Sequence, residues 1–423
     1  MDLVLRNARI FGRSETVPLD IAIKDGRIVA IAPSLAVDGP SVELNGRLVA
    51  PGLVETHIHL DKTCIIDRCK AEEGTVAEAV AQTAAAKRAF TEEDIYARGT
   101  RTLEKCLLNG TMLMRTHVEI DPGIGLKGFE AVRQLAKDYA WAIDLELCVF
   151  PQEGLLNNPG TDELLRECLG KGAKVVGAVP YTDSDPRGQI DRIFAMARDF
   201  DVDIDMHLDL GDTPEGMQIE YVCDQTEKHR YGGRVAVGHV TQLSAAPSPQ
   251  FHAIAKRLSE SGVAVTVLPS TDLYLTGRGQ DHCVMRGVTA AHKLLEHGVN
   301  CSLSTNNVLN PFTPYGDASL IRMANLYANV CHVSRPHELD ECFAMLTTRS
   351  AQLLRRSDYG LAPGRAADLV VFDCNDAHTA VAELVAPLFG LKNGRVTFTR
   401  PRAALKRAGA RQDLNEVRDL LLN

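Results

Sequence analysis

No long run of lysine or arginine occurs in this sequence, and its formal net charge is −9. A chain that grips a phosphate backbone or an anionic bilayer needs a concentrated positive footprint, so neither nucleic acid nor a membrane is an expected partner. CxxC pairs are also lacking. The eleven cysteines, Cys64, Cys69, Cys148 and Cys301 among them, are scattered, which argues against a disulfide framework and a thiolate zinc site. They read as small core residues in a reducing compartment. The opening stretch MDLVLRNARIFGR is broken by Arg6, Arg9 and Arg13, too interrupted for a signal sequence or transmembrane helix. A cytoplasmic protein is the expectation. With no repeat, low-complexity tract or long linker, 423 residues that are 45% hydrophobic suit one large domain plus a small one.

What is present is a repeating alternation. The first fifty residues, LVLRNARIF and DIAIKDGRIVAIAP, carry alternating branched residues with an Asp25-Gly26 turn, and GRAADLVVFD with LKNGRVTFT near the end repeats the pattern around Asn393-Gly394. Residues 1–50 and 355–423 are therefore expected to complete one small β-sandwich domain. Between them, over 51–354, eight apolar runs alternate with helix-length segments: LVETHIHL, TMLMRTHVEI, DLELCVFPQ, KVVGAVPYT, DIDMHLDL, RVAVGHVT, VAVTVLPST and NCSLSTNN. Parallel strands covered by helices follow, and eight suit a closed (β/α)8 TIM-type barrel; a doubly wound open sheet is the alternative. Polar residues gather at the C-terminal ends of the runs, where such a barrel keeps its active site: His57, His59, His117, Gln152, His207, His239 and Asn306. Thr91, ahead of Glu92-Glu93-Asp94, signals a helix start.

His57 and His59 share one face of a strand because side chains alternate. Such a pair alone admits a buried or solvated reading as readily as a chelating one. His207 and His239 end two further runs, so four histidines can converge. Neutral imidazole suits zinc or ferrous iron, and three protein ligands with an open position suit a hydrolytic site.

In the order THIHLDK, RTHVEI, FPQEG, DIDMHLD, GHVT, the LxGR of Leu275 to Arg278, and Asn306 to Phe312, nearly the whole chain resembles the bacterial cytosine deaminases of the amidohydrolase superfamily. It is also similar, less so through LxGR, to the isopropylammelide amidohydrolases of triazine breakdown. The resemblance implies one divalent metal ion, zinc or iron, on His57, His59 and His207. His239 would assist the attacking water. Gln152 would contact a ring amide, Phe312 would form an aromatic wall, and Asn307 would join them in binding substrate. A homo-oligomer is implied as well. His117 reads as a hydrogen-bonding support or a packed core histidine, Lys62 and Asp61 as loop or surface salt-bridge residues, and Arg278 and Arg286 as framing the pocket mouth or solvating a loop.

Two positions depart from the family pattern. Its eighth-strand Asp, which ligates metal and shuttles the proton of water, is Asn306 here, and an amide can orient water but takes no proton near neutral pH. Its Glu three residues after the fifth-strand His is Leu210; Asp209 is adjacent but on a strand would face the other way. The expected function is metal-dependent hydrolysis of a C–N bond, amino or alkylamino, of a small nitrogen heterocycle, with His239 and Asn306 at the reacting centre. The alternative is a metal- or ligand-binding homologue that lost this chemistry.

Overall fold

Branched, alternating segments at the N-terminus form β1 (Leu3–Ile10), β2 (Leu19–Lys24), β3 (Arg27–Ala32), β4 (Ser41–Glu43) and β5 (Leu48–Pro51). The computed structural model describes residues 1–13, 17–403 and 405. Asp25 and Gly26, with φ of 50° and 74°, make the tight turn that joins β2 to β3, the two-residue geometry whose twist matches paired strands.

The chain then enters eight parallel strands: β6 (Leu53–Ile58), β7 (Thr111–Glu119), β8 (Asp144–Phe150), β9 (Val175–Val176), β10 (Asp203–Leu208), β11 (Val235–His239), β12 (Val263–Val267) and β13 (Cys301–Leu303). Each pairs with its neighbour in sequence order. The strands are buried along nearly their whole length and read as continuous apolar runs because helices cover their outer face. Closure comes just beyond β13, where His59 N donates to Asn306 O over 3.0 Å and Asn306 N donates to His57 O over 2.9 Å. This parallel bridge between Ile58 and Asn306 makes the sheet a barrel rather than an open doubly wound array. Among the intervening helices, Glu92–Leu108 starts as its sequence signals, with Thr91 accepting from Asp94 N.

After the barrel, β14 (Leu369–Phe372), β15 (Pro387–Lys392) and β16 (Arg395–Thr399) return to the N-terminal strands. β14 pairs with β5, which gives the order β16-β15-β14-β5-β1-β2-β3 with β4 beside β1. Asn393 and Gly394 turn β15 into β16 as Asp25 and Gly26 turn β2 into β3. Leu5, Ile21 and Ile28 from the first half and Leu369, Val371 and Leu391 from the second share one apolar cluster. Of the range expected for this small domain, residues 14–16, 404 and 406–423 lie outside the described residues.

Candidate metal centre

β6 delivers His57 and His59 to one side of the barrel's C-terminal end, and β10 delivers His207 opposite them. His207 Nε2 lies 3.1 Å from His57 Nε2 and 3.1 Å from His59 Nε2. All three rings are buried. Burial, reinforced by His117, holds His57 down at about 3, and burial with the neighbouring cationic and imidazole groups holds His59 and His207 well below the ordinary histidine value. The rings are therefore neutral, and each can turn an unprotonated nitrogen toward a cation placed between them. Nitrogens around a tetrahedral zinc sit about 3.3 Å apart, given Zn–N of about 2.0–2.1 Å. The residues fit a metal ion. The three-histidine group whose ligand atoms all lie within 4.8 Å of one another is the overlapping one of His57, His207 and His239.

Behind these rings lie further buried polar groups. Asp205 Oδ1 sits 3.8 Å from His57 Nδ1 and 3.5 Å from His117 Nε2, while Oδ2 accepts from Arg115 Nη1 over 2.9 Å. Burial alone would raise Asp205; His117, His57 and Arg115 outweigh it and keep the carboxyl well below its usual range. His117 stacks on His57 with ring centres 3.7 Å apart. Gly238 leaves space for His57, since a Cβ there would meet His57 Nδ1 and Cε1 at 3.1 Å.

His239 and Asn306 both have positive φ, 72° and 63°, conformations that non-glycine residues hold only where surroundings enforce them. His239 Nδ1 lies 2.6 Å from Asp272 Oδ1, and its Nε2 lies 3.5 Å from Asn306 Nδ2. Asn306 Oδ1 is buried without a partner. Glu55, two residues before His57, accepts from Thr305 N and His57 N and so ties the first strand to the segment carrying Asn306. Burial pushes Glu55 up to about 7.

Lys62 Nζ donates to Gln152 Oε1 over 2.7 Å, lies 3.6 Å from Glu119 Oε2, and stands over the Phe312 ring at 4.6 Å. Burial lowers its pKa, against the pull of Glu119 and Asp61. Asn307 Oδ1 accepts from Asn310 Nδ2, which also donates to Lys62 O, so Asn307 braces the loop on which Lys62 depends. A neighbouring carboxylate trio, Glu119, Asp121 and Glu153, has metal-like spacing, but the Lys87 ammonium bonds to all three and fills that role.

A sequence model described as the amidohydrolase family matches residues 41–185 and 129–398. The chain belongs to the amidohydrolase family. It is 27% identical over 406 residues to the N-isopropylammelide isopropyl amidohydrolase of Pseudomonas sp. (strain ADP), covering 93% of this chain and 96% of that one. It is 27% identical over 362 residues to the pterin deaminase of Rhizobium rhizogenes, covering 84% and 82%. The solved structure of 5-methylcytosine deaminase from Klebsiella pneumoniae liganded with 5-fluorocytosine superimposes with a TM-score of 0.91 at 26% identity, covering 96% of this chain and 99% of that one. This amidohydrolase thus has relatives named as amidohydrolases and deaminases of small nitrogen heterocycles. Among its described residues, no helix is long and apolar enough to cross a membrane.

Within this amidohydrolase, His57, His59, His207, His239 and Asn306 come together at one end of the barrel, Gln152 and Phe312 meet each other through Lys62, and His117 stacks on His57. Lys62 corrects its surface reading. The salt bridge exists, but it is buried against Gln152 and Phe312. Asp61 is buried too, its Oδ2 accepting from Glu119 N. Asp209 does not substitute for an acid at 210: it leaves β10 at φ 48° and accepts from Gln218 N and Ile219 N at the start of the helix Ile219–His229. Leu210 packs with Ala79, Leu275 and Phe312 instead. Arg278 lies on Tyr274, and Arg286 bonds to Val330 O, both exposed. The sequence reading missed Asp205, Glu55 and Asp272. Asp205 and Glu55 each stand two residues before a candidate ligand on the same strand face, a period-two signal that was there to use; Asp272 carries no such signal.

Proposed function

We propose that this amidohydrolase removes an amino or alkylamino group from a small nitrogen heterocycle by hydrolysis, with one divalent ion, zinc or ferrous iron, held by His57, His59 and His207. The observation that carries the reading is the approach of two imidazole Nε2 atoms to His207 Nε2 at 3.1 Å each, in a buried site where all three are neutral. The names of its relatives, which cite N-isopropylammelide, pterin and 5-methylcytosine, support the substrate class.

An ion so held would act as a Lewis acid at which water ionises near neutral pH. Three neutral ligands leave its whole charge for that purpose. The chain's own groups do the rest. Phe312 offers a face to a planar ring. Lys62 donates to an electron-rich ring oxygen or nitrogen and, by occupying Gln152 Oε1, leaves the Gln152 amide NH2 as a second donor. Asn306 orients water through its side-chain oxygen but takes no proton, so proton transfer falls to another group.

The test is amine or ammonia release by the metal-loaded protein from a panel of pyrimidines, triazines and pterins, together with metal content. Turnover of at least one compound with metal bound is expected. If the wild type releases nothing while Asn306→Asp gains activity, the chain is a binding homologue that has lost turnover, and the hydrolase reading fails.

A further inference from the structure

Hydrolysis of a C–N bond takes a proton from water and returns one to the departing nitrogen, so a site without a carboxylate at 306 needs another proton acceptor. The buried carboxylates around the histidines are nearly all committed. Glu55 holds the backbone of His57 and Thr305, Asp205 pairs with Arg115 behind the rings, Asp209 caps the helix Ile219–His229, and Asp61 accepts from Glu119 N. Asp272 differs. It sits on the short helix Pro269–Leu275 that follows β12, fully buried, with Oδ1 at 2.6 Å from His239 Nδ1 and Oδ2 accepting from Leu268 N over 3.1 Å. With Leu268 N already donating to one oxygen, an ionised Asp272 takes a second hydrogen from His239 when Nδ1 carries the ring proton. That tautomer leaves Nε2 as the lone pair beside Asn306, and His239 belongs with His57 and His207 to a group whose ligand atoms lie within 4.8 Å of one another.

We propose that Asp272 and His239 form the proton-transfer couple of this enzyme and so replace the carboxylate absent from position 306. In this arrangement Asp272 is a positioning residue and His239 the catalytic one. As the water oxygen forms its bond to the amidine carbon, the C=N π pair moves onto the ring nitrogen, one O–H bond breaks and its proton passes to His239 Nε2, while Asp272 stays ionised and stabilises the imidazolium. When the pair on the ring nitrogen re-forms the double bond and the exocyclic C–N bond breaks, the same proton moves from Nε2 to the leaving nitrogen, the second proton of the water stays on the product oxygen, and the imidazole returns to neutral. Water and substrate are the only reactants. Asn306, whose Nδ2 lies beside Nε2, holds the water in line with it.

The inference rests on the hydrolase reading, and its test keeps the two apart. Asp272→Asn preserves volume but offers one acceptor oxygen where two donors point. Its kcat is expected to fall by about a hundredfold to ten-thousandfold, the loss typical of a removed proton-transfer group, with KM changed by less than about threefold and bound metal unchanged. In parallel, 15N spectra of histidine-labelled full-length protein, with the His239 signal assigned through His239→Gln, are expected to show the proton on Nδ1 in the wild type and its loss from that atom in Asp272→Ala. An Asp272→Asn enzyme that keeps kcat within about threefold would overturn the proposal. So would a wild-type His239 protonated on Nε2, a result independent of whether the variants fold or hold metal. A wild type that releases no amine from any compound defeats the hydrolase reading itself, whatever the tautomer.

Discussion

Lys62 Nζ donates to Gln152 Oε1 over 2.7 Å while standing 4.6 Å above the Phe312 ring, and all three residues are buried. A lysine that gives up water in this way must recover the loss from its neighbours and from what it binds. Glu119 at 3.6 Å and the nearby Asp61 supply part of the balance; on the proposed function an electron-rich substrate atom supplies more. Lys62→Met keeps the stem's packing and removes the charge. A hydrogen bond to a charged group is worth about 1.5–3 kcal/mol, so kcat/KM should fall roughly tenfold to a hundredfold, carried by KM. Steady-state kinetics checks this, and an unchanged KM would remove Lys62 from the substrate's surroundings.

Metal content separates ligands from supports. His207 faces both His57 and His59, whereas His117 stacks behind His57 near Asp205. His207→Ala should lose stoichiometric metal on purification. His117→Ala should retain it with affinity weakened about tenfold to a hundredfold, as for groups that orient ligands. Elemental analysis after titration with a chelator reads both. Equal retention by the two variants would refute the assignment of His207.

Much of this architecture is written in the order of residues. Strand alternation puts His57 and His59 on one face, the apolar runs give the barrel's strands, and Asp25-Gly26 and Asn393-Gly394 announce their turns. What stays hidden depends on closure. Asp272 meets His239 only because the helix after β12 turns back over the barrel end, and Lys62 looks like a loop cation until Gln152, Glu119 and Phe312, from three other segments, surround it. Asp209 stays out of the acid's role for a local reason: the strand ends at Leu208, and a positive φ turns the next side chain toward a helix start.

Asp20 gives a pH-dependent check on the small sheet. It accepts from Arg6 Nη1 at 2.6 Å, Asn7 N at 3.0 Å and Leu35 N at 2.9 Å. Burial alone would raise its pKa, but these donors outweigh it and lower the pKa from the ordinary 3.8. A carboxyl whose folded value is depressed adds stability above its unfolded value, and that stability is lost as pH falls through the folded one. Asp20→Asn should therefore cost about 1.5–3 kcal/mol near neutrality, and the gap in Tm from wild type should narrow as pH drops below about 4. Thermal unfolding between pH 7 and pH 3 measures it. A gap that stays constant over this range would show that charge plays no part.

Leu210 governs the last prediction, which concerns the leaving group. With Ala79, Leu275 and Phe312 it forms an apolar cluster, against which Val76, Val80 and Tyr274 also pack. Phe312 joins this cluster to Lys62, so a substrate lying on the Phe312 ring has hydrocarbon beside it where a carboxylic acid would favour a bare amino group. Each buried CH2 contributes about 0.8 kcal/mol; an N-isopropyl substituent should therefore raise kcat/KM over the unsubstituted amine by roughly tenfold to a hundredfold. Leu210→Glu places a polar group in that cluster, which costs about 1–3 kcal/mol when it lacks a partner. The variant should melt earlier and lose or reverse the preference. Competition between the two substrates, followed by product ratio, gives the answer directly; a wild type that prefers the unsubstituted amine would show that the leaving group lies away from Leu210.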